Sequence, residues 1–170
     1  EFRKYICGKN GIIERYMKLG IGGFRLDVVD ELTDSFLTEI CQKIYSINKD
    51  ALIIGEVWED AAKKISYDHR RQYLWGHQLN SVTNYPLRTA ILEFLKTGNG
   101  NEIANCMDIV KDDYPRFVQY NLMNLIGSHD TSRIANEIES IDAVHTKELT
   151  KMATLLEYSF IGIPTIFYGD

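Results

Sequence analysis

Apolar residues recur along this chain in two alternating rhythms, short continuous runs and longer amphipathic stripes. Ile12, Ile13, Tyr16, Met17 and Leu19 fall at helical spacing and predict a helix over 9–19, with Gly20 as its stop. Gly22 to Val29 is a short apolar run carrying charges at Arg25 and Asp27, and it predicts a strand over 22–27. Thr33 or Asp34 suits an N-cap, and Phe36, Leu37, Ile40, Cys41, Ile44 and Ile47 draw one stripe down the helix that follows. Ala51 to Gly55 is apolar without alternation, as expected of a strand covered on both faces in a parallel sheet, and it ends abruptly at Glu56. Residues 60–78 are polar and mixed and read as a loop with a short helix.

The second half repeats the scheme. Leu79 to Val82 predicts a weak strand. Leu87, Ala90, Ile91, Phe94 and Leu95 predict a helix broken by Gly98-Asn99-Gly100, and Ile103, Ala104, Met107 and Val110 a further one ending before Pro115. Leu122 to Ile126 predicts another strand. Leu149, Met152, Ala153, Leu156 and Phe160 mark one side of a helix over 145–160, and a last strand covers 163–168. Strands at 22–27, 51–56, 79–83, 122–127 and 163–168 alternate with helices, so the predicted class is α/β with parallel strands. No Gly/Ser or Pro linker divides the chain. Opening in mid-helix and closing on an uncovered strand point to a piece of a larger domain.

Composition narrows the partners. The 170 residues carry 19 Lys and Arg against 24 Asp and Glu, a net charge of −5, with 45% hydrophobic residues. These are the proportions of a globular domain. The acidic balance, with no basic stretch longer than Arg70-Arg71, argues against nucleic acid, and no apolar run approaches a membrane span. Cys7, Cys41 and Cys106 are odd in number and widely spaced, so they predict buried reduced thiols rather than a disulfide framework. They fit a reducing, cytoplasmic compartment better than a secreted one, without fixing it. The four histidines form no pair with metal-ligand spacing.

The informative charges are those at strand ends. Asp27, Glu56 and Asp130 each close an apolar run, and functional groups of parallel α/β folds collect at the C-terminal ends of strands. Arg25 and Asp27 alternate with Leu26, so both point the same way, and His129 directly precedes Asp130. Carboxylates gathered in one pocket suit a general acid working beside an ionised nucleophile. Aromatic residues near the strand ends, Phe24, Trp58, Tyr85 and Tyr168, suit stacking on sugar faces.

Gly23-Phe24-Arg25-Leu26-Asp27, Gly55-Glu56-Val57-Trp58 and Ser128-His129-Asp130 resemble, in order and placement, three signature regions of the α-amylase family of glycoside hydrolases. Asn84-Tyr85-Pro86, Gly127 to Thr131 and Tyr168-Gly169-Asp170 resemble most its neopullulanase, cyclomaltodextrinase and maltogenic amylase members. The resemblance implies that 1–170 is a partial catalytic domain, about strands four to eight of a TIM (β/α)8 barrel, with the N-terminal strands and a C-terminal β-domain outside it. It implies Asp27 as nucleophile, Glu56 as general acid/base and Asp130 as a third carboxylate gripping sugar hydroxyls. Arg25 would orient Asp27, and His129, Glu31 and Trp58 would contact substrate. The implied reaction is retaining hydrolysis of α-1,4, and also α-1,6, bonds in starch-derived oligosaccharides or cyclodextrins, with transglycosylation or a non-catalytic carbohydrate-binding role as alternatives. It needs no cofactor, and a structural calcium would belong to the intact parent. A partial barrel would be inactive alone and would self-associate through its open edges. One departure stands out: relatives commonly carry Asn-Glu where this chain has Asp30-Glu31, a pair the resemblance places near the acceptor sugar.

Overall fold

The computed structural model describes residues 1–170, which divide into two compact units, 1–57 with 61–82 and 58–60 with 83–170. The first unit opens with helices α1 (Phe2–Cys7) and α2 (Ile12–Lys18). α2 starts later than the periodicity predicts, because Asn10 sits at a positive φ of 58° and Gly11 takes the N-cap. Strand β1 (Gly23–Leu26) pairs in parallel with β2 (Leu52–Gly55), Gly23 opposite Leu52 and Leu26 opposite Gly55. The two backbones approach so closely at Gly23 that a Cβ there would run into the Leu52 carbonyl.

Helix α3 (Asp34–Ile47) is the crossover between these strands. Thr33 caps it, its Oγ1 accepting the Phe36 N–H at 3.4 Å. The predicted stripe is its buried face, with Phe36, Leu37, Ile40, Cys41 and Ile44 inside and Ile47 exposed at the end. Burying Leu37 or Ile44 in full contributes about 1.5–3 kcal/mol each. Phe24 turns toward this layer, lining an apolar cleft of about 360 Å³ with Phe2, Ile13, Asp27, Phe36 and Ile40.

The short helix expected within 60–78 is not there. Instead β3 (Ile65–Ser66) and β4 (His69–Arg70) form an antiparallel hairpin, and β5 (Ser81–Val82) then joins β2 in parallel. The hairpin tip, Tyr67-Asp68, has both residues at positive φ, 52° and 61°. That backbone reverses direction in two residues and matches strand twist, which a helix start cannot do.

In the second unit α4 (Tyr85–Thr97) is capped by Asn84, whose Oδ1 accepts the Leu87 N–H at 3.2 Å, with Pro86 in the first turn and Gly98 at φ 73° closing the end. It packs on α5 (Asn101–Asp113) and on α8 (Thr146–Ser159). β6 (Met123–Leu125) pairs in parallel with β7 (Ile163–Thr165), and Thr83 bridges to Met123. The fully buried Asn124 knits these together: its Oδ1 accepts from Asn84 Nδ2 at 2.9 Å and its Nδ2 donates to the Ile161 carbonyl at 3.1 Å.

Two further helices, α6 (Arg116–Gln119) and α7 (Ile134–Ile141), were not expected. α7 had a signal, Ile134, Ile138 and Ile141 at i, i+4 and i+7, of which the first two are buried. On α8 the buried face is Ala153 and Glu157, with Phe160 just beyond, and Met152 is exposed rather than part of the stripe. Five parallel strands plus the hairpin make this a mixed α/β structure. No helix is long and apolar enough to cross a membrane.

Candidate active site

Asp27 and Glu56 occupy equivalent places, each one residue beyond the C-terminal end of a strand. The register sets them side by side: Leu26 faces Gly55, and the Glu56 N–H donates to the Leu26 carbonyl at 3.0 Å. Adjacent strands run about 4.8 Å apart, so the two carboxyl groups spring from neighbouring points. Arg25, on the same side of β1 as Asp27, bridges them. Its Nη1 bonds Asp27, and its Nη2 lies 3.0 Å from Glu56 Oε1. Exposure separates the pair, with the Asp27 side chain 72% exposed and that of Glu56 only 2%.

Glu56 has a second anchor that the sequence does not announce. Its Oε2 accepts the Val28 N–H at 2.9 Å. Val28 reaches it only by adopting a left-handed backbone, φ 37° and ψ 62°, at the start of the 3₁₀ turn Val29–Glu31. A β-branched residue there carries a strain of about 1–2 kcal/mol, which the surrounding contacts must offset.

Of the substrate-contact candidates, Glu31 is exposed and its carboxylate accepts the Tyr67 hydroxyl at 2.5 Å, which pushes that phenol above its usual range. Asp30 is turned inward, accepting from Tyr73 Oη at 2.6 Å and pairing with Lys64 Nζ at 2.9 Å.

Asp130 and His129 follow β6 in the second unit. His129 Nε2 lies 2.9 Å from Asp130 Oδ2, and both side chains are partly exposed. Ser128 shapes this turn. Its N–H donates to Thr131 Oγ1 at 3.0 Å, and its Oγ accepts the Asp130 N–H at 3.2 Å and lies 3.1 Å from Tyr85 Oη. Trp58 stacks on Tyr85 with centroids 3.9 Å apart and planes 4° from parallel, and it is 44% exposed.

Deeper in this unit Glu157 is fully buried. Its Oε1 accepts the Thr165 N–H at 3.1 Å, and burial, aided by Asp170, pushes its carboxyl up to about 7. The cysteines are buried and unpaired, and burial raises Cys41 to about 12 and Cys106 to about 11, so neither is a nucleophile at neutral pH. No group of three or more His, Cys, Asp or Glu is arranged to hold a metal ion.

The family model described as alpha amylase, catalytic domain, matches residues 1–170. The chain belongs to the alpha-amylase family. Neopullulanase 2 of Thermoactinomyces vulgaris is 33% identical over 157 residues, covering 91% of this chain and 24% of that protein. A cyclomaltodextrinase of a Bacillus species is 31% identical over 153 residues, covering 89% and 25%. Among solved structures, the acarbose-soaked debranching enzyme of Nostoc punctiforme superposes with a TM-score of 0.77 at 32% identity, over 99% of this chain and 36% of that one. The chain thus spans about a quarter of the length of these curated relatives. Its mixed α/β structure is that of a portion of the family's TIM-barrel catalytic domain.

Proposed function

We propose that this chain carries the nucleophile and the acid/base of a retaining hydrolase of α-1,4, and also α-1,6, glucosidic bonds in starch-derived oligosaccharides or cyclodextrins, and that it spans barrel strands four to eight. The observation that carries the reading is the Asp27–Arg25–Glu56 cluster at the ends of two paired parallel strands. Retention needs a nucleophile and an acid about 5–5.5 Å apart, close to the spacing of adjacent strands. The exposed Asp27 attacks the anomeric carbon while Glu56 gives its proton to the departing glycosidic oxygen. A water then loses a proton to Glu56 and attacks the same carbon, freeing Asp27 and a sugar of unchanged anomeric configuration. Two inversions in sequence give net retention. Arg25 offsets the charge of the two carboxylates and points Asp27 at the sugar. Asp130, paired with His129, holds sugar hydroxyls, and the exposed part of Trp58 offers them an apolar surface. The presence of all three carboxylates favours catalysis over a binding role. The names of the relatives, a neopullulanase, a cyclomaltodextrinase and a debranching enzyme, support the substrate class.

The test is the anomer released by the whole protein from maltotriose or a cyclodextrin, followed by proton NMR in the first minutes. The α-anomer is expected, and the β-anomer would overturn the reading. The 170-residue chain alone is expected to release no reducing sugar, because it spans so small a share of its relatives.

A further inference from the structure

Between β2 and β5 the chain crosses over without a helix, and residues 58–80 carry only the β3–β4 hairpin. This segment reaches the turn after Asp27 at four places. Lys64 and Tyr73 hold the Asp30 carboxylate, at 2.9 and 2.6 Å. Arg71 Nη2 donates to the carbonyls of Val29 and Leu32, at 3.2 and 2.5 Å. Ser66 Oγ donates to the Asp30 carbonyl at 3.1 Å, and Tyr67 Oη to Glu31. Arg71 and Tyr73 are buried, and Lys64 and Asp30 nearly so. The turn so gripped begins at Val28, whose left-handed backbone aims its N–H at Glu56. Left alone, a valine in that conformation relaxes to negative φ and swings the N–H away. Besides the Glu56 carboxylate itself, residues 64–73 supply side-chain bonds that oppose this.

We infer that residues 64–73 are a positioning clamp for the acid/base, with Asp30 as its grip. Asp30, Lys64 and Tyr73 are positioning residues that act on Glu56 through the Val28 N–H, and Asp30 does not read the acceptor sugar. The inference rests on the reading of Glu56 as acid/base, but its geometry is testable without turnover.

Amide exchange and the ¹⁵N–¹H position of Val28, measured on the 170-residue chain, supply that test. Asp30→Asn removes the carboxylate that pairs with Lys64 and accepts from Tyr73, and Tyr73→Phe removes one bond while keeping the ring. Both are expected to speed Val28 exchange about tenfold or more and to move its signal. In the whole protein Tyr73→Phe should lower kcat with KM unchanged within about twofold. A folded Asp30→Asn and a folded Tyr73→Phe that both leave Val28 untouched would overturn the clamp, and Tyr73→Phe alone decides if Asp30→Asn does not fold. If the variants move Val28 while the whole protein cleaves no α-glucan, the clamp stands and the hydrolase reading falls.

Discussion

The two regions that carry the candidate chemistry, the paired ends of β1 and β2 and the turn after β6, are built differently. After β1 and β2, three charged groups lean on one another. Arg25 spans Asp27 and Glu56, and Glu56 is buried with the Val28 N–H on its second oxygen. After β6, Asp130 has only His129 and a serine-centred turn, and both side chains are open to solvent. The difference follows from topology. Two adjacent parallel strands in register bring their terminal residues together without help from loops. Asp130 lies five residues beyond the end of β6, so its turn is held by local hydrogen bonds, which Ser128, Thr131 and Tyr85 supply. The first arrangement holds a buried carboxyl by an ion pair and a backbone N–H, which suits the positioning a proton transfer demands, and the second leaves a carboxylate open to solvent.

The largest effect expected is on turnover. Glu56→Gln in the whole protein should lower kcat on maltotriose about 10²–10⁴-fold, with Asp27→Asn at least as severe, measured by released glucose. Asp130→Asn should act more through KM if its role is to hold sugar. A loss from Asp130→Asn equal to that from Glu56→Gln, all of it in kcat, would erase the contrast between the two ends.

Next comes stability. Arg25→Met removes the guanidinium that pairs with the buried Glu56 and should cost about 3–5 kcal/mol in urea unfolding. Arg25→Lys should recover only part, because an ammonium cannot reach both carboxylates as the guanidinium fork does. The exposed counterpart is expected to matter little: His129→Ala should change stability by less than about 1 kcal/mol.

Between these lies Glu157. Its folded carboxyl sits near 7 against an ordinary value of 4.5, so the folded state favours the protonated form. The stability this group allows is fully present below about pH 4.5 and is lost as the pH rises through 7. Glu157→Gln keeps the acceptor for Thr165 and removes the titration. It should be more stable than the parent at pH 8 by about 3 kcal/mol and nearly equal at pH 4.5, read from melting temperatures at the two values. Equal pH profiles for the two proteins would show that Glu157 is not held protonated.

How far the sequence anticipates this molecule varies with the range of the forces involved. The α3 stripe, the Asn84-capped helix ended by Gly98 and the unbroken apolar run of β2 were legible, because burial and capping act over a few residues. So was the placement of Asp27 and Glu56 directly after strands, since a charge that terminates an apolar run needs no tertiary knowledge to be noticed. The hairpin was not legible. Tyr67 holds a left-handed conformation beside Asp68 that its own side chain does not favour, and its hydroxyl contact reaches 36 positions back to Glu31. Asp30 shows the same limit. Its identity suggested a change in sugar contacts, yet its carboxylate is spent on Lys64 and Tyr73. Glu157 lay on a helix face read from its apolar neighbours, and only tertiary packing shows that a carboxyl occupies the buried position.

The central claim is that Asp27 and Glu56 form a retaining pair, and it is most directly tested by trapping the covalent intermediate. The whole protein, treated with a 5-fluoro-α-glucosyl fluoride and digested, should yield one glycosylated peptide, modified at Asp27, in an amount that matches the activity lost. A protein that turns over α-glucans with no adduct at Asp27, or with the adduct on another carboxylate, would contradict it.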